Sequence, residues 1–432
     1  MSSCEELLRA LRAGEADGVL RPLYAAGGSG AALAAARERA ARVTEAFMES
    51  FGNAAPRAAL FSGPGRTEIG GNHTDHQHGH VLCGSVDLDI LACAAVNGTN
   101  TVRVISEGYP VVEVALDELS PRAAEKNTSA ALVRGVAARL TELGHALSGF
   151  DAYAVSDVLS GSGLSSSAAY EVLVGTIFNH FFCGSALDAV AVAKAGQYAE
   201  NVYFGKPCGL MDQMGSAVGG AVAIDFADPS DPAVERVDYD FSRSGHALCI
   251  IDTGSCHADL TDDYALIPKE MGAVAAYFGR NFLRDISETD FRAALPELRA
   301  KCGDRAVLRA MHFFAEDVRA AEEARALKDG EFDRFLALVN ASGQSSELLL
   351  QNIWSPAAPG EQAVSVALAV GRELLGDSGA IRVHGGGFAG TVQAFVPDAL
   401  TDHFKCGMEA VFGAGKCHIL HIRPRGGCVV LD

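Results

Sequence analysis

Along the first fifty residues, apolar side chains recur three and four positions apart. Leu33, Ala36, Ala40, Val43, Phe47 and Phe51 therefore fall on one face of a helix. A shorter helix precedes it, and residues 26–30 form a Gly-rich joint between the two. From Ala58 the period changes to short apolar runs, at residues 59–61, 81–82, 91–96, 102–105 and 111–114, separated by Gly, Asn and Asp turns. Such runs predict strands and hairpins. Residues 165–201 return to helix, and residues 221–226 and 248–252 read as buried strands. A mainly helical stretch follows from Tyr264 to Leu350, clearest as an amphipathic helix over residues 313–327, and strand candidates reappear at 391–396 and 417–422. Mixed strands and helices, then helices, then strands predict two α+β domains rather than one doubly wound sheet. The expected division is a helical extension over residues 1–50, a domain over 51–240 that ends after the Asp-Pro-Ser-Asp-Pro turn, and a second domain over 241–432.

Composition narrows the partners. The chain of 432 residues carries 35 Lys and Arg against 54 Asp and Glu, a formal charge of -19, which argues against nucleic acid as a main partner. Its apolar stretches are too short and too often interrupted to cross about 30 Å of hydrocarbon, so no membrane span is expected. The opening MSSCEELLRALR lacks the basic head and apolar run of a signal peptide. Eleven cysteines without CxxC pairs read as reduced thiols of a cytoplasmic protein. The outlying number is 47 glycines, against about 30 at an average usage of roughly 7%, and the informative ones cluster.

The first cluster runs Gly63-Pro64-Gly65-Arg66-Thr67-Glu68-Ile69-Gly70-Gly71-Asn72-His73-Thr74-Asp75-His76-Gln77-His78-Gly79-His80. Its density of hydrogen-bonding groups suits a polyhydroxylated ligand, each hydroxyl of which donates and accepts. A metal reading competes, but HxxHxHxH fits none of the standard zinc spacings. A solvated polar turn is the plain alternative. The second cluster, Leu159-Ser160-Gly161-Ser162-Gly163-Leu164-Ser165-Ser166-Ser167-Ala168, leads into a helix, where free backbone N–H groups and the positive end of the dipole suit a phosphate. No lysine follows, so it is not the GxxxxGK[ST] loop, and a Ser N-cap on an ordinary helix is the plain alternative. The third, Val383-His384-Gly385-Gly386-Gly387-Phe388-Ala389-Gly390, permits close backbone approach or simply makes a turn or bulge. A fourth element, Glu200 followed by Gly205-Lys206-Pro207-Cys208-Gly209-Leu210-Met211-Asp212-Gln213, places two acids around a turn, either of which suits magnesium or proton transfer.

Together the four elements resemble the GHMP superfamily of small-molecule kinases, and within it the galactokinase family. The resemblance rests on Gly65-Arg66 with His73-Thr74-Asp75 and Gly79-His80-Val81-Leu82, on GxGLSSSA at residues 161–168, on Glu200 with GxPCGxMDQ at 205–213, and on GGGF-x-G at 385–390. It implies an α+β, two-domain kinase fold with the active site in the cleft between domains, and an ATP-dependent sugar 1-kinase using Mg2+. It also implies roles. Asp212 would be the catalytic carboxylate and Arg66 its cationic partner. Gly161, Ser162, Gly163, Leu164, Ser165, Ser166 and Ser167 would cradle ATP, with Ser167 and Glu200 close to magnesium. Asn72, His73, Asp75, Gly209 and Tyr264 would bind the sugar, Tyr264 being marked by Asp262-Asp263-Tyr264 where the family has Ser-Glu-Tyr. The partners implied are a small-molecule sugar and ATP.

The departures bear on the acceptor. Asn72 stands where galactokinases carry a Glu that faces the C6 hydroxyl, so galactose is the first expectation and a carboxylated relative such as galacturonate the second. A catalytically silent sugar and ATP sensor is a third class. His76 replaces a Tyr, His384 a Thr, and Gln351-Asn352-Ile353-Trp354 a Tyr-Glu-Val-Ser.

Overall fold

The computed structural model describes every residue except Met1, Pro207 and residues 25–29, 53–57, 159–162 and 255–260. The joint expected at residues 26–30 thus lies, apart from Gly30, outside the described residues.

Three helices open the chain: α1 (Cys4–Ala13), α2 (Asp17–Tyr24) and α3 (Gly30–Phe51). Ser3 starts α1 with a capping box, its hydroxyl taking the Glu6 N–H while the Glu6 carboxylate takes the Ser3 N–H. Strands β1 (Ala58–Gly70), β2 (His80–Val96), β3 (Thr101–Ser106), β4 (Val112–Ala115), β5 (Phe150–Ser156), β6 (Ala221–Asp225) and β7 (Ala233–Val237) follow, joined by β12 (Cys428–Leu431) from the far end of the chain. The sheet runs β12-β1-β2-β5-β3-β4, with β6 on β2 and β7 on β6. The runs at 81–82 and 91–96, expected as separate strands, are one strand of 17 residues, because β5 and β6 pair with its two halves in succession. Along it side chains alternate between two cores. Leu91, Cys93 and Ala95 meet Leu7, Leu11, Leu20, Val43 and Phe47 of α1–α3, while Ile90, Ala92 and Ala94 face the core behind the opposite side of the sheet. The N-terminal helices are therefore one layer of the structure. Buried Asp89 fastens them, accepting from Arg39 Nη1 at 2.6 Å, from Tyr24 Oη at 2.5 Å and from Arg423 Nη1 at 3.2 Å.

On the other face lie α4 (Ser129–Glu142), α5 (Ser166–Phe182), α6 (Ala189–Tyr198) and α7 (Met211–Val218), with a π-helical turn over Ala199–Phe204. The first glycine cluster is partly strand rather than loop. β1 carries Arg66, and its register shifts between Pro64 and Arg66, where a proline without N–H is accommodated.

The second half builds a four-stranded antiparallel sheet, β11-β8-β10-β9, from β8 (His246–Asp252), β9 (Ala380–His384), β10 (Thr391–Pro397) and β11 (Cys417–Leu420). Helices α8 (Thr261–Tyr277), α9 (Glu288–Ala293), α10 (Leu295–Cys302), α11 (Asp304–Lys328) and α12 (Phe332–Ser345) precede β9. One face of this sheet packs on α13 (Ala363–Leu375) and α14 (Thr401–Phe412) through Val364, Leu368, Phe404 and Met408. Among the described residues no helix is long and apolar enough to cross a membrane.

Candidate active site

Arg66 and Asp212 lie 146 positions apart and meet in a bidentate contact, Nη2 at 2.6 Å and Nε at 2.8 Å from Oδ1. Asp212 occupies the first turn of α7, where the helix dipole favours an anion. Its other oxygen, Oδ2, accepts from the Ser165 hydroxyl at 2.6 Å. Ser165 sits in left-handed backbone (φ 56°) just before α5 and makes no side-chain cap. The helix-cap alternative for the serine run therefore does not describe Ser165, whose hydroxyl is committed to Asp212. Arg66 Nη1 also donates to the Gly163 carbonyl, tying guanidinium, carboxylate and phosphate loop into one unit. Burial pushes the Asp212 carboxyl up, and Arg66 and Ser165 more than reverse it, so the group stays ionised below the usual carboxylate range.

Of the phosphate loop, Gly161 and Ser162 lie outside the described residues. Leu164 is buried, and Ser166 and Ser167 begin α5, whose free N–H groups are the anion-binding end of the helix. Gly163 sits in left-handed backbone (φ +71°) that favours glycine, and a Cβ there would stand only 3.0 Å from His384 Nδ1 and Thr391 Oγ1. The third glycine cluster thereby touches the second. His384 is buried and also places Nε2 3.1 Å from Thr67 Oγ1, next to Arg66.

Ser167 Oγ donates to Glu200 Oε1 at 3.0 Å, and Glu200 is 1% exposed within the π-helical turn. Sequence reasoning missed three further groups here. Lys206 Nζ stands 3.3 Å from the same Glu200 oxygen, and the Gln213 amide bridges Glu200 Oε2 at 2.8 Å and Glu171 Oε2 at 2.9 Å. Burial, then the charge of Glu200, pushes the Glu171 carboxyl well above its ordinary value. Lys206 lies within the GxPCGxMDQ segment and was visible as a cation; nothing local marks Glu171.

Around the first cluster, Asp75 Oδ1 accepts the His76 N–H at 2.9 Å, and Gly209 is bare because a Cβ would run into Asp75 Oδ2. His73 Nε2 lies 3.0 Å from the Gly386 carbonyl. Burial lowers the His73 pKa to about 3, so the ring is neutral and donates through Nε2. The Tyr264 ring, 39% exposed, lies 5.0 Å from that of His73, and its hydroxyl meets His76 Nε2 at 3.0 Å. His73, Asp75, Gly209 and Tyr264 are thus brought together, with Gly209 leading into α7 and Asp212. The other histidines diverge: His78 stacks on Phe282, and His80 lies between Asp317 and Asp225.

Asn72 stands apart. It is fully buried, and its amide is used up by the protein: Nδ2 donates to Glu68 Oε1 at 2.9 Å and to the Gly385 carbonyl at 2.7 Å, while Oδ1 accepts from Asn352 Nδ2 at 2.8 Å and Ser346 Oγ at 3.2 Å. Two donors and two lone pairs are all that a primary amide has. Two departures from the family pattern, Asn72 and Asn352, are therefore partners of each other.

Comparison with known proteins places two family profiles on these segments. The profile of the GHMP kinases N terminal domain matches residues 131–220, which hold α5, Glu200 and Asp212, and the galactokinase galactose-binding signature matches residues 45–96, which hold Arg66 and the His-Thr-Asp run. The chain thus carries a GHMP kinases N terminal domain and a galactokinase galactose-binding signature. It is accordingly a phosphotransferase with an alcohol group as acceptor, of the galactokinase-like kind. The GHMP kinase fold extends over most of the molecule. The structure of Lactococcus lactis galactokinase complexed with galactose superposes with a TM-score of 0.75 at 23% identity, covering 90% of this chain and 98% of that one. Methanococcus jannaschii mevalonate kinase gives 0.60 at 13% identity over 85% and 98%, and L. major mevalonate kinase in complex with R-mevalonate gives 0.57 at 13% over 84% and 96%.

Proposed function

We propose that this protein transfers the γ-phosphoryl group of ATP to the anomeric hydroxyl of galactose, in a cleft between the domains of residues 51–240 and 241–432. The observation that carries the reading is the Arg66–Asp212–Ser165 unit, joined on one side to the phosphate loop and on the other, through Gly209, to Asp75. The sugar hydroxyl oxygen attacks the γ-phosphorus, the bond to the β,γ-bridging oxygen breaks, and the hydroxyl proton passes to Asp212. A loose transition state asks little of the nucleophile, so orientation and charge neutralisation supply most of the acceleration. Arg66 keeps Asp212 ionised and steadies the charge on the transferring group. The backbone of the 161–167 loop and the start of α5 take the phosphates.

A buried carboxylate beside a hydroxyl is a donor set suited to magnesium, which takes one or two protein ligands and completes its shell with phosphates and water. Glu200 and Ser167 would hold it, and it would neutralise phosphate charge. Coupled ADP-release assays over galactose, galacturonate, N-acetylgalactosamine and arabinose test the proposal. Galactose is expected to rank first, and robust turnover of another sugar alone overturns it.

A further inference from the structure

Asn72 was the reason to consider a carboxylated acceptor, yet its amide hydrogens are already given to Glu68 and Gly385. The charge beside it belongs to Glu68. From Arg66 to Glu68 the register of β1 against β2 is regular, Arg66 to Ser85 and Glu68 to Cys83, so the two side chains leave the strand on the same face. That is the face on which Arg66 meets Asp212.

We infer that Glu68 is a specificity-determining residue that reserves the acceptor site for uncharged sugars and excludes those carrying a carboxylate, an inference that rests on the sugar-kinase reading above. The charges around the site support it. Arg66 is spent on Asp212 and the Gly163 carbonyl. Arg382, fully buried, is spent on Glu68 Oε1 at 2.8 Å and on the carbonyls of Ile69 and Val383 at 2.6 and 3.1 Å. His73 is neutral. Facing these are three acids: Asp212, Asp75 and Glu68. Glu68 Oε1 is doubly engaged, but neither Glu68 Oε2 nor Asp75 Oδ2 has a hydrogen-bond partner among the described residues, and Glu68 Oε2 is not sealed from solvent. Burial pushes the Glu68 carboxyl up to about 7, so above that pH the group is ionised and its unpartnered oxygen only accepts. It is satisfied by a sugar hydroxyl, which donates, and repels a uronate, which brings a like charge and no proton. Because Glu68 is 4% exposed, that repulsion acts with little water to screen it.

The test uses the full-length protein and its Glu68→Gln variant with D-galactose and D-galacturonate at about pH 8.5, where Glu68 is ionised, read by ADP release and by the sugar-induced shift in melting temperature without nucleotide. Wild type is expected to favour galactose by about 100-fold or more in kcat/KM and to show no melting shift with galacturonate. In Glu68→Gln the ratio is expected to shrink by about 10-fold or more, with a lower KM for galacturonate and a galacturonate shift appearing. A galacturonate shift or turnover in wild type overturns the inference, even where Glu68→Gln fails to fold, and leaves the sugar-kinase reading standing. An unchanged ratio in a folded Glu68→Gln protein overturns it as well. A melting shift with galactose alone, without ADP release, supports the charge selection and sinks the kinase reading. No shift and no turnover with either sugar overturns both.

Discussion

The loop proposed to take the phosphates and the loop proposed to take the sugar are both glycine-rich, but they are held in different ways. Ser165 and Ser167 find their partners, Asp212 and Glu200, within 47 positions, and the proposed phosphate contacts are largely backbone N–H at the start of α5. The sugar loop is fixed from the other half of the chain. The Gly71 N–H donates to Glu316 Oε1 at 3.2 Å, His312 Nε2 meets the Asn72 carbonyl at 2.9 Å, the Leu283 N–H reaches Gln77 Oε1 at 3.0 Å, and Asn352 and Ser346 bind the Asn72 amide. A loop that works through its backbone is legible where it stands. One that is positioned by distant side chains takes its meaning from them.

Where the two loops meet, the effect of mutation should be largest. Asp212→Asn is expected to lower kcat by about 10³-fold while the protein still folds and keeps its galactose-induced shift; retention of full ADP release would remove Asp212 from the mechanism. Next comes Arg382→Met, which removes a buried cation together with its hydrogen bonds to Glu68 Oε1 and to the carbonyls of Ile69 and Val383. Urea unfolding should show a loss of about 3–5 kcal/mol, and a loss below about 1 kcal/mol would mean that the sugar loop does not depend on this pair.

A paired experiment sharpens the contrast. Asn352→Ala removes one of the two donors to Asn72 Oδ1, at a cost of about 1–3 kcal/mol, and should raise the KM for sugar while leaving that for ATP unchanged. Ser167→Ala should do the reverse, raising the KM for ATP with little change in stability. Equal movement of both constants in either variant breaks the division between the loops.

The smallest effect expected is in pH dependence. Against burial, His312, Arg319 and Arg382 hold the Glu316 carboxyl down at about 2, below its ordinary 4.5. Its stabilisation is complete above 4.5 and is lost as pH falls toward 2. Glu68 has the opposite sign: burial, only partly offset by Arg382 and Arg66, pushes it up to about 7. Its contribution is complete below 4.5 and is lost as pH rises through 7. Wild type should therefore lose about 1–3 kcal/mol between these limits, and Glu68→Gln should flatten that slope in denaturant titrations. An identical slope in both proteins would assign the decline to other groups.

Much of the architecture was legible. The three- and four-residue spacing over residues 33–51 anticipated α3, and the apolar runs at 221–226, 248–252 and 391–396 anticipated β6, β8 and β10. The helical stretch ending near Leu350 is α8 to α12 with its short π-helical continuation. β7 was not anticipated, because Ala233-Val234-Glu235-Arg236-Val237 is a short edge strand in which only Val237 is buried. Nor was the return of β12 to β1, which depends on a pairing across the whole length of the chain.

What the amino-acid sequence determined by itself was most of the secondary structure, the α+β class and the family resemblance, because helix and strand periods, turn glycines and loop motifs act over a few residues. What the tertiary structure alone decided was how each polar group spends its hydrogen bonds. Asn72 reads in isolation as an amide offered to a ligand, and in the folded chain as one consumed by Glu68, Gly385, Ser346 and Asn352. Glu68 reads as one acid among many and becomes the carboxylate with an oxygen to spare. A side chain's donors and acceptors are finite, and the partners that claim those of Asn72 and Glu68 lie up to 314 positions away.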